Sequence, residues 1–189
     1  MSALSVSDPN VTVEALSADE YAKRTLTVDF LYLDREVCSR CRGTEAALGD
    51  ALERVAPLLA DLGVDVAVRT VHVQSAADAR RVGLEVSPTI RVDGRDLQPA
   101  YRESTCESCG DLCDCEGGVD CRIWTYDGRE HTTPPVELLL EGLLRAAVGT
   151  ATTQSEQSEA DDRLPENLER FFAETSPDSA DETDCGCGC

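Results

Sequence analysis

Residues 26–41 read LTVDFLYLDREVCSRC, and the reading of this stretch decides the fold. Its first half, Leu26 to Leu33, is rich in β-branched and aromatic residues and nearly continuous in apolar character. That is the pattern of a central strand buried on both faces. Beyond it, Leu48, Ala51, Leu52, Val55, Leu58, Leu59 and Leu62 recur on one helical face, so Cys38-Ser39-Arg40-Cys41 lies between a buried strand and a helix. Pro57 falls inside the helical pattern and predicts a kink or a break. Gly63 closes the helix, and Val64 to Val73 predicts a second strand. A short helix from Ala76 to about Val82 leads to a strand at Thr89 to Val92 with an Asp93-Gly94 turn.

Between Ala100 and Cys121 the pattern breaks, because large apolar residues are scarce and five cysteines crowd in. This segment is expected not to pack as an ordinary element. Arg122 to Tyr126 resumes as a strand and turns at Asp127-Gly128. Pro134-Pro135 then opens a last amphipathic helix carrying Val136, Leu139, Leu140, Leu143, Leu144 and Ala147 on one face. Residues 1–24 read as a lead-in with one short strand at Val11 to Val13, residues 25–149 as the domain with its Cys-rich insert at 100–121, and residues 150–189 as an acidic tail. Within that tail, Leu164, Leu168, Phe171 and Phe172 mark one or two amphipathic turns, and composition predicts disorder after them. Strands alternating with helices and then a hairpin give an α/β plan, that of a thioredoxin-like fold with a Cys-rich insertion before the last strand.

The 189 residues carry a formal net charge of −20, and one lysine, Lys23, stands among 17 basic side chains. The acidity is not confined to the tail: residues 1–150 hold 26 acidic against 15 basic side chains. A surface so acidic and so poor in lysine predicts a protein of molar salt, where the Debye length shrinks to about 3 Å and self-repulsion is screened. It argues against a nucleic-acid partner, since phosphate binding needs a basic stripe. No run approaches the roughly eighteen apolar residues of a membrane span, and residues 1–10 lack the pattern of a signal peptide. A cytoplasmic location follows as the expectation, and there ten cysteines point to metal or redox chemistry before structural disulfides.

Four motifs carry that chemistry. Cys38-x-x-Cys41 at a helix start sits where unpaired N–H groups favour thiolate, and Arg40 and Arg42 are expected to add to that. Cys41 is placed to attack a mixed disulfide formed at Cys38. Equally, the pair is half of a zinc site that cysteines of the insert complete. Ser87-Pro88-Thr89 places a proline at the head of a core strand; in thioredoxin-like proteins such a proline is cis and faces the C-x-x-C, with its neighbouring backbone pairing to substrate. The insert holds Cys106, Cys109, Cys113, Cys115 and Cys121, enough thiols to wrap one soft ion, with a disulfide pair or a second redox relay as alternatives. A metal there would also order a core-poor segment, since its binding energy serves as folding energy. The chain's last motif is Cys185-Gly-Cys187-Gly-Cys189, whose glycine spacers let three thiols converge on a soft cation or metalloid. It also reads as a mobile relay, because about 35 linker residues span roughly 30–35 Å as a coil. His72 reads as a core or edge residue, His131 as an outside candidate ligand, and Trp124 as core.

Asp29-Phe30-Leu31-Tyr32-Leu33-Asp34, Cys38-x-x-Cys41 with Gly43-Thr44, Ser87-Pro88-Thr89-Ile90 with Asp93-Gly94, and Cys109-Gly110 through Cys121-Arg122 together resemble the DF family (seleno)proteins. These are an uncharacterised thioredoxin-like group, and the likeness is to their haloarchaeal type, over about Leu26 to Val148. The resemblance implies redox work, since some members use selenocysteine. Ser39-Arg40 where thioredoxins have Gly-Pro, and no tryptophan before Cys38, count against general disulfide reductase activity and leave room for a specialised substrate. The expectation is a thiol–disulfide oxidoreductase in which Cys38 is the nucleophile, Cys41 resolves and Pro88 shapes the groove, acting on a protein or small-molecule thiol or disulfide. Zinc or another soft metal is the expected cofactor, with no organic one, and neither nucleic acid nor membrane is an expected partner. The alternative is a soft-metal or metalloid protein without redox turnover. The redox reading requires Ser87-Pro88 beside the sulfur pair and the pair not buried beneath side chains.

Overall fold

A computed structural model describes residues 11–15, 24–106, 119–149 and 163–175. Strand β1 (Val11–Ala15) and strand β2 (Arg24–Tyr32) come first, and β2 is the run read as buried. Val28 through Tyr32 are all buried, so both faces of β2 are covered, as a middle strand requires. It pairs in parallel with β3 (Val64–His72), from Arg24 opposite Val64 to Tyr32 opposite His72. On its other edge it pairs antiparallel with β4 (Thr89–Val92), which turns into β5 (Arg95–Asp96). The sheet order is β1-β3-β2-β4-β5, with β1 antiparallel to β3, and the architecture is α/β.

Helix α1 (Ser39–Asp61) buries Cys41, Thr44, Ala47, Leu48, Ala51, Leu52, Val55 and Leu59. The helix continues through Pro57 without the predicted break. The ring is solvent-exposed and close to the helix end, so it removes one backbone donor without disturbing the buried face. Helix α2 (Ala76–Val82) begins at Ser75, whose Oγ accepts the Asp78 N–H at 3.1 Å, and ends at Gly83 with φ +62°. The Asp93-Gly94 and Asp127-Gly128 turns both hold two successive positive φ values, which matches the twist of a tight hairpin.

The insert departs from expectation. It contributes strand β6 (Arg102–Cys106), and the next strand, β7 (Val119–Tyr126), starts three residues before the predicted Arg122. With β8 (Arg129–His131) these form a second antiparallel sheet in the order β6-β7-β8. Thr105, Val119, Ile123 and Trp124 supply enough β-forming side chains to carry pairing on both sides of the thiol-rich loop. Helix α3 (Val136–Val148) packs on α1, with Leu139 and Leu143 fully buried. Helix α4 (Glu166–Thr175) packs on β7 and α2 and buries Leu168, Phe171 and Phe172. Most of the lead-in, the linker and the terminal cysteines lie outside the described residues.

The two sheets are fastened together by Arg122, whose side chain is fully buried. Its guanidinium binds both oxygens of Asp96, at 3.0 and 2.5 Å, the Gln98 carbonyl at 3.0 Å and Thr89 Oγ1 at 3.1 Å. Tyr101 and Trp124 lie over it at 4.8 and 4.9 Å. The Gln98 amide meanwhile spans both backbone groups of Thr125, at 2.9 and 2.7 Å. Removing one partner of a buried pair strands the other charge, at a cost of about 3–5 kcal/mol. Arg122→Ala is therefore expected to lose stability on that scale in denaturant titration. A loss below about 1 kcal/mol would mean that the clamp is dispensable.

Candidate functional site

After β2 the chain turns on Asp34, whose Oδ1 accepts the N–H groups of Glu36 and Val37 at 2.7 and 2.8 Å. This turn delivers Cys38 to the N-cap of α1 with extended backbone, φ −71° and ψ 108°. Cys38 Sγ accepts the Cys41 N–H at 3.3 Å, a position usually filled by a Ser, Thr or Asp oxygen. Cys41 Sγ lies 3.7 Å from Ser87 Oγ, and Ser87 Oγ in turn accepts the Leu33 N–H at 3.2 Å. The Ser87-Pro88 peptide is cis, and Pro88 is buried at the head of β4. So Cys38, Cys41 and the Ser87-Pro88 peptide come together as the sequence predicted.

The hairpin adds two more thiols. Cys106 pairs with Val119 and Ser104 with Cys121 across the β6–β7 ladder, so the two cysteines are diagonal neighbours on one face. The sulfurs of Cys38, Cys106 and Cys121 all lie within 4.8 Å of one another, and all three residues are buried. Among the described residues this is the one group of three or more Cys, His or carboxylate side chains close enough to share an ion. His131 does not belong to it. His72 stacks on Tyr32 at 5.0 Å and reaches the Leu33 carbonyl at 2.9 Å, a structural role at the end of the central strands. Cys109, Cys113, Cys115, Cys185, Cys187 and Cys189 lie outside the described residues.

Arg40, between the two cysteines of the motif, clips the hairpin to the helix. Its Nη1 donates to the Ser104 carbonyl at 3.1 Å, Ser104 Oγ at 3.0 Å and the Cys121 carbonyl at 3.3 Å, and its Nη2 to the Thr105 carbonyl at 2.7 Å. Arg42 donates to the Glu36 carbonyl. Both guanidinium groups, expected to favour thiolate, are thus also engaged with backbone oxygens. The Arg40 contact leaves no mark in the local sequence, because which surface a long side chain reaches depends on tertiary placement.

The second expectation was an accessible pair, and here the structure differs. Cys38 and Cys41 each have 0 % exposure. The Cys41 thiol is pushed far above its ordinary range, first by its hydrogen bond with Cys38 and then by burial, with the Cys38 charge adding to both. Contacts to Ser87 and the Asp34 backbone oppose the shift without overcoming it. A groove of about 520 Å³ lies elsewhere, between α1 and the sheet, lined by Phe30, Leu52, Pro57 and Val68 with Glu45 and Glu53, and it contains no cysteine.

The geometry defines an α/β protein with a buried thiol cluster bridging a helix start and an accessory hairpin. The chain belongs to the family described as a domain of unknown function, DUF2703, whose model matches residues 26–143 and so spans all four clustered cysteines. No curated protein and no solved structure matches it. None of the described helices is long and apolar enough to cross a membrane.

A thiol with no exposure reacts only when the structure opens locally, so labelling rates report that opening. Hydrogen bonds from a charged group are worth about 1.5–3 kcal/mol, and each 1.4 kcal/mol is tenfold. In Arg40→Ala, maleimide labelling of Cys38 and Cys121 is expected to accelerate roughly tenfold or more while far-ultraviolet dichroism is unchanged. An unaltered rate would show that Arg40 does not hold the site closed.

Proposed function

We propose that this chain is a soft-metal binding protein whose ion is held by the thiolates of Cys38, Cys106 and Cys121, with Cys41 as the fourth sulfur. The observation that carries the reading is the buried three-sulfur cluster with its mutual separations within 4.8 Å. Zinc–sulfur bonds of about 2.3 Å place tetrahedral sulfurs about 3.8 Å apart, so small side-chain adjustments suffice. Burial excludes water and competing ligands, and the donor set is all sulfur, which favours zinc, copper(I), mercury or trivalent arsenic over hard cations. Arg40, which reaches the Cys121 carbonyl, offsets part of the negative charge that such a centre gathers. A reducing compartment such as the cytoplasm would keep these thiols available. Cys109, Cys113, Cys115 and the terminal Cys185, Cys187 and Cys189 supply further soft ligands.

Placing serine at those six last positions isolates the buried set. This variant is expected to bind one Cd²⁺ per chain with a thiolate charge-transfer band, and the full chain more than one. Cys38→Ser, Cys106→Ser and Cys121→Ser should each weaken binding by more than the roughly 10–100-fold that outer-shell changes cost. A four-cysteine variant that folds and binds no cadmium would end this proposal.

A second reading, thiol–disulfide exchange on a protein or small-molecule disulfide by Cys38 and Cys41 in a thioredoxin-like arrangement, draws on the N-cap position of Cys38 and the Ser87 contact to Cys41. The resemblance to DF family (seleno)proteins favours it too. Burial of both sulfurs and the raised Cys41 thiol weigh against it. Catalysed reduction of a disulfide substrate that disappears in Cys38→Ser, in metal-stripped protein, would restore it to first place.

A further inference from the structure

The peptide unit joining Cys121 to Arg122 is held at both ends, by Arg40 of the C-x-x-C and by Ser87, whose Oγ touches Cys41 Sγ. Its carbonyl accepts from Arg40 Nη1 at 3.3 Å, and its N–H donates to the Ser87 carbonyl at 2.9 Å, just before Pro88. Strand β7 therefore lies along the head of β4 as an extended segment, and carries the Cys121 sulfur to within 4.8 Å of Cys38 Sγ. The peptide that carries Cys121 thus sits against Ser87, just before Pro88. Cys106 is reached differently: Arg40 holds the carbonyl before it, and its strand partner is Val119. Cys41, hydrogen-bonded to Cys38 and touching Ser87 Oγ within the first turn of α1, is the competing partner.

We infer that Cys38 and Cys121 form the redox-active disulfide of this protein, an internal bond between the helix start and the accessory hairpin. A low-molecular-weight disulfide is the oxidant. One thiolate of the pair attacks it and forms a mixed disulfide, releasing one small thiol. The second thiolate then attacks the protein sulfur of that mixed disulfide and releases the other. Two cysteine thiols become one S–S bond, and the reagent's S–S bond becomes two thiols, so the two electrons and two protons lost by the protein are those gained by the reagent. Closing the pair consumes two of the sulfurs proposed above to bind metal, so oxidation and metal occupancy exclude each other; this last clause rests on the proposed metal site, whereas the pairing does not.

The full chain, stripped of metal, is equilibrated anaerobically with excess oxidised dithiothreitol, quenched in acid with N-ethylmaleimide, and digested with trypsin and a glutamate-specific protease. Cleavage separates Cys38 on Val37–Arg40, Cys41 on residues 41–42, Cys106 on Ser104–Glu107 and Cys121 on Gly117–Arg122. Most oxidised Cys38 is expected in the cross-linked pair Val37–Arg40 with Gly117–Arg122. The same cross-link should persist in Cys41→Ser, vanish in Cys121→Ser and be reversed by reduced dithiothreitol. Recovery of Cys38 mainly with Cys41 or Cys106, or no disulfide at Cys38, overturns the inference. Zinc added to the reduced chain should suppress the cross-link. If zinc fails to bind while the cross-link forms, the metal proposal falls and the pairing stands; if zinc binds and Cys38 pairs with Cys41, the reverse holds.

Discussion

Arg122 donates to Asp96, Gln98 and Thr89 from a position with no solvent exposure, and the position of the accessory sheet follows from that contact. A guanidinium in a dry interior is costly unless its charge is met by a carboxylate. Here the carboxylate comes from the hairpin end of the first sheet and the arginine from the middle strand of the second. Because Arg122 follows Cys121 directly, fixing this side chain also fixes the thiol beside it. A three-stranded sheet is small enough to need packing on another element, and the apolar residues of β6 are few. The clamp, the α4 residues Leu168, Phe171 and Phe172, and the contacts to Arg40 supply that packing from three directions.

Much of the first sheet was legible because its signals are local. Continuous apolar character marked β2, helical spacing marked α1, and Gly63 and the Asp93-Gly94 turn marked an end and a reversal, each by backbone chemistry within a few residues. Pro57 leaves α1 unbroken because a proline's effect on a helix depends on which face it occupies, and that is set by the tertiary partner. The insert misled because cysteine density obscured a pair of ordinary strands flanking it. Proximity of Cys38 to Cys106 and Cys121 was readable only as one of two alternatives for the C-x-x-C. The deciding contacts, Arg40 to the hairpin and Arg122 to Asp96, join residues 26 to 81 positions apart and leave no local trace.

Burial changes what the thiols can do. An exposed pair at a helix start gains reactivity from the helix dipole, yet for Cys41 the hydrogen bond with Cys38, and then desolvation, make the thiol resist ionisation. The same desolvation strengthens a metal–thiolate centre, because an ion supplies the compensating charge that water no longer can. It also shields a protein disulfide, once formed, from casual reduction. One arrangement thus suits a resident ion or an internal bond better than rapid traffic with large partners.

Neither half of the thiol cluster is complete alone. The helix start provides Cys38 and Cys41, the hairpin provides Cys106 and Cys121, and only docking of the second sheet on the first joins them. An ion or a disulfide joining those sulfurs would also tie the accessory sheet to α1 across more than sixty residues of sequence. Such a tie restricts the unfolded chain and so adds to native stability, and it does so most where apolar burial is thinnest. The chemistry of the site and the integrity of the hairpin are therefore one property: loosening the sheet disperses the thiols, and removing the link leaves the sheet to Arg122, Arg40 and α4.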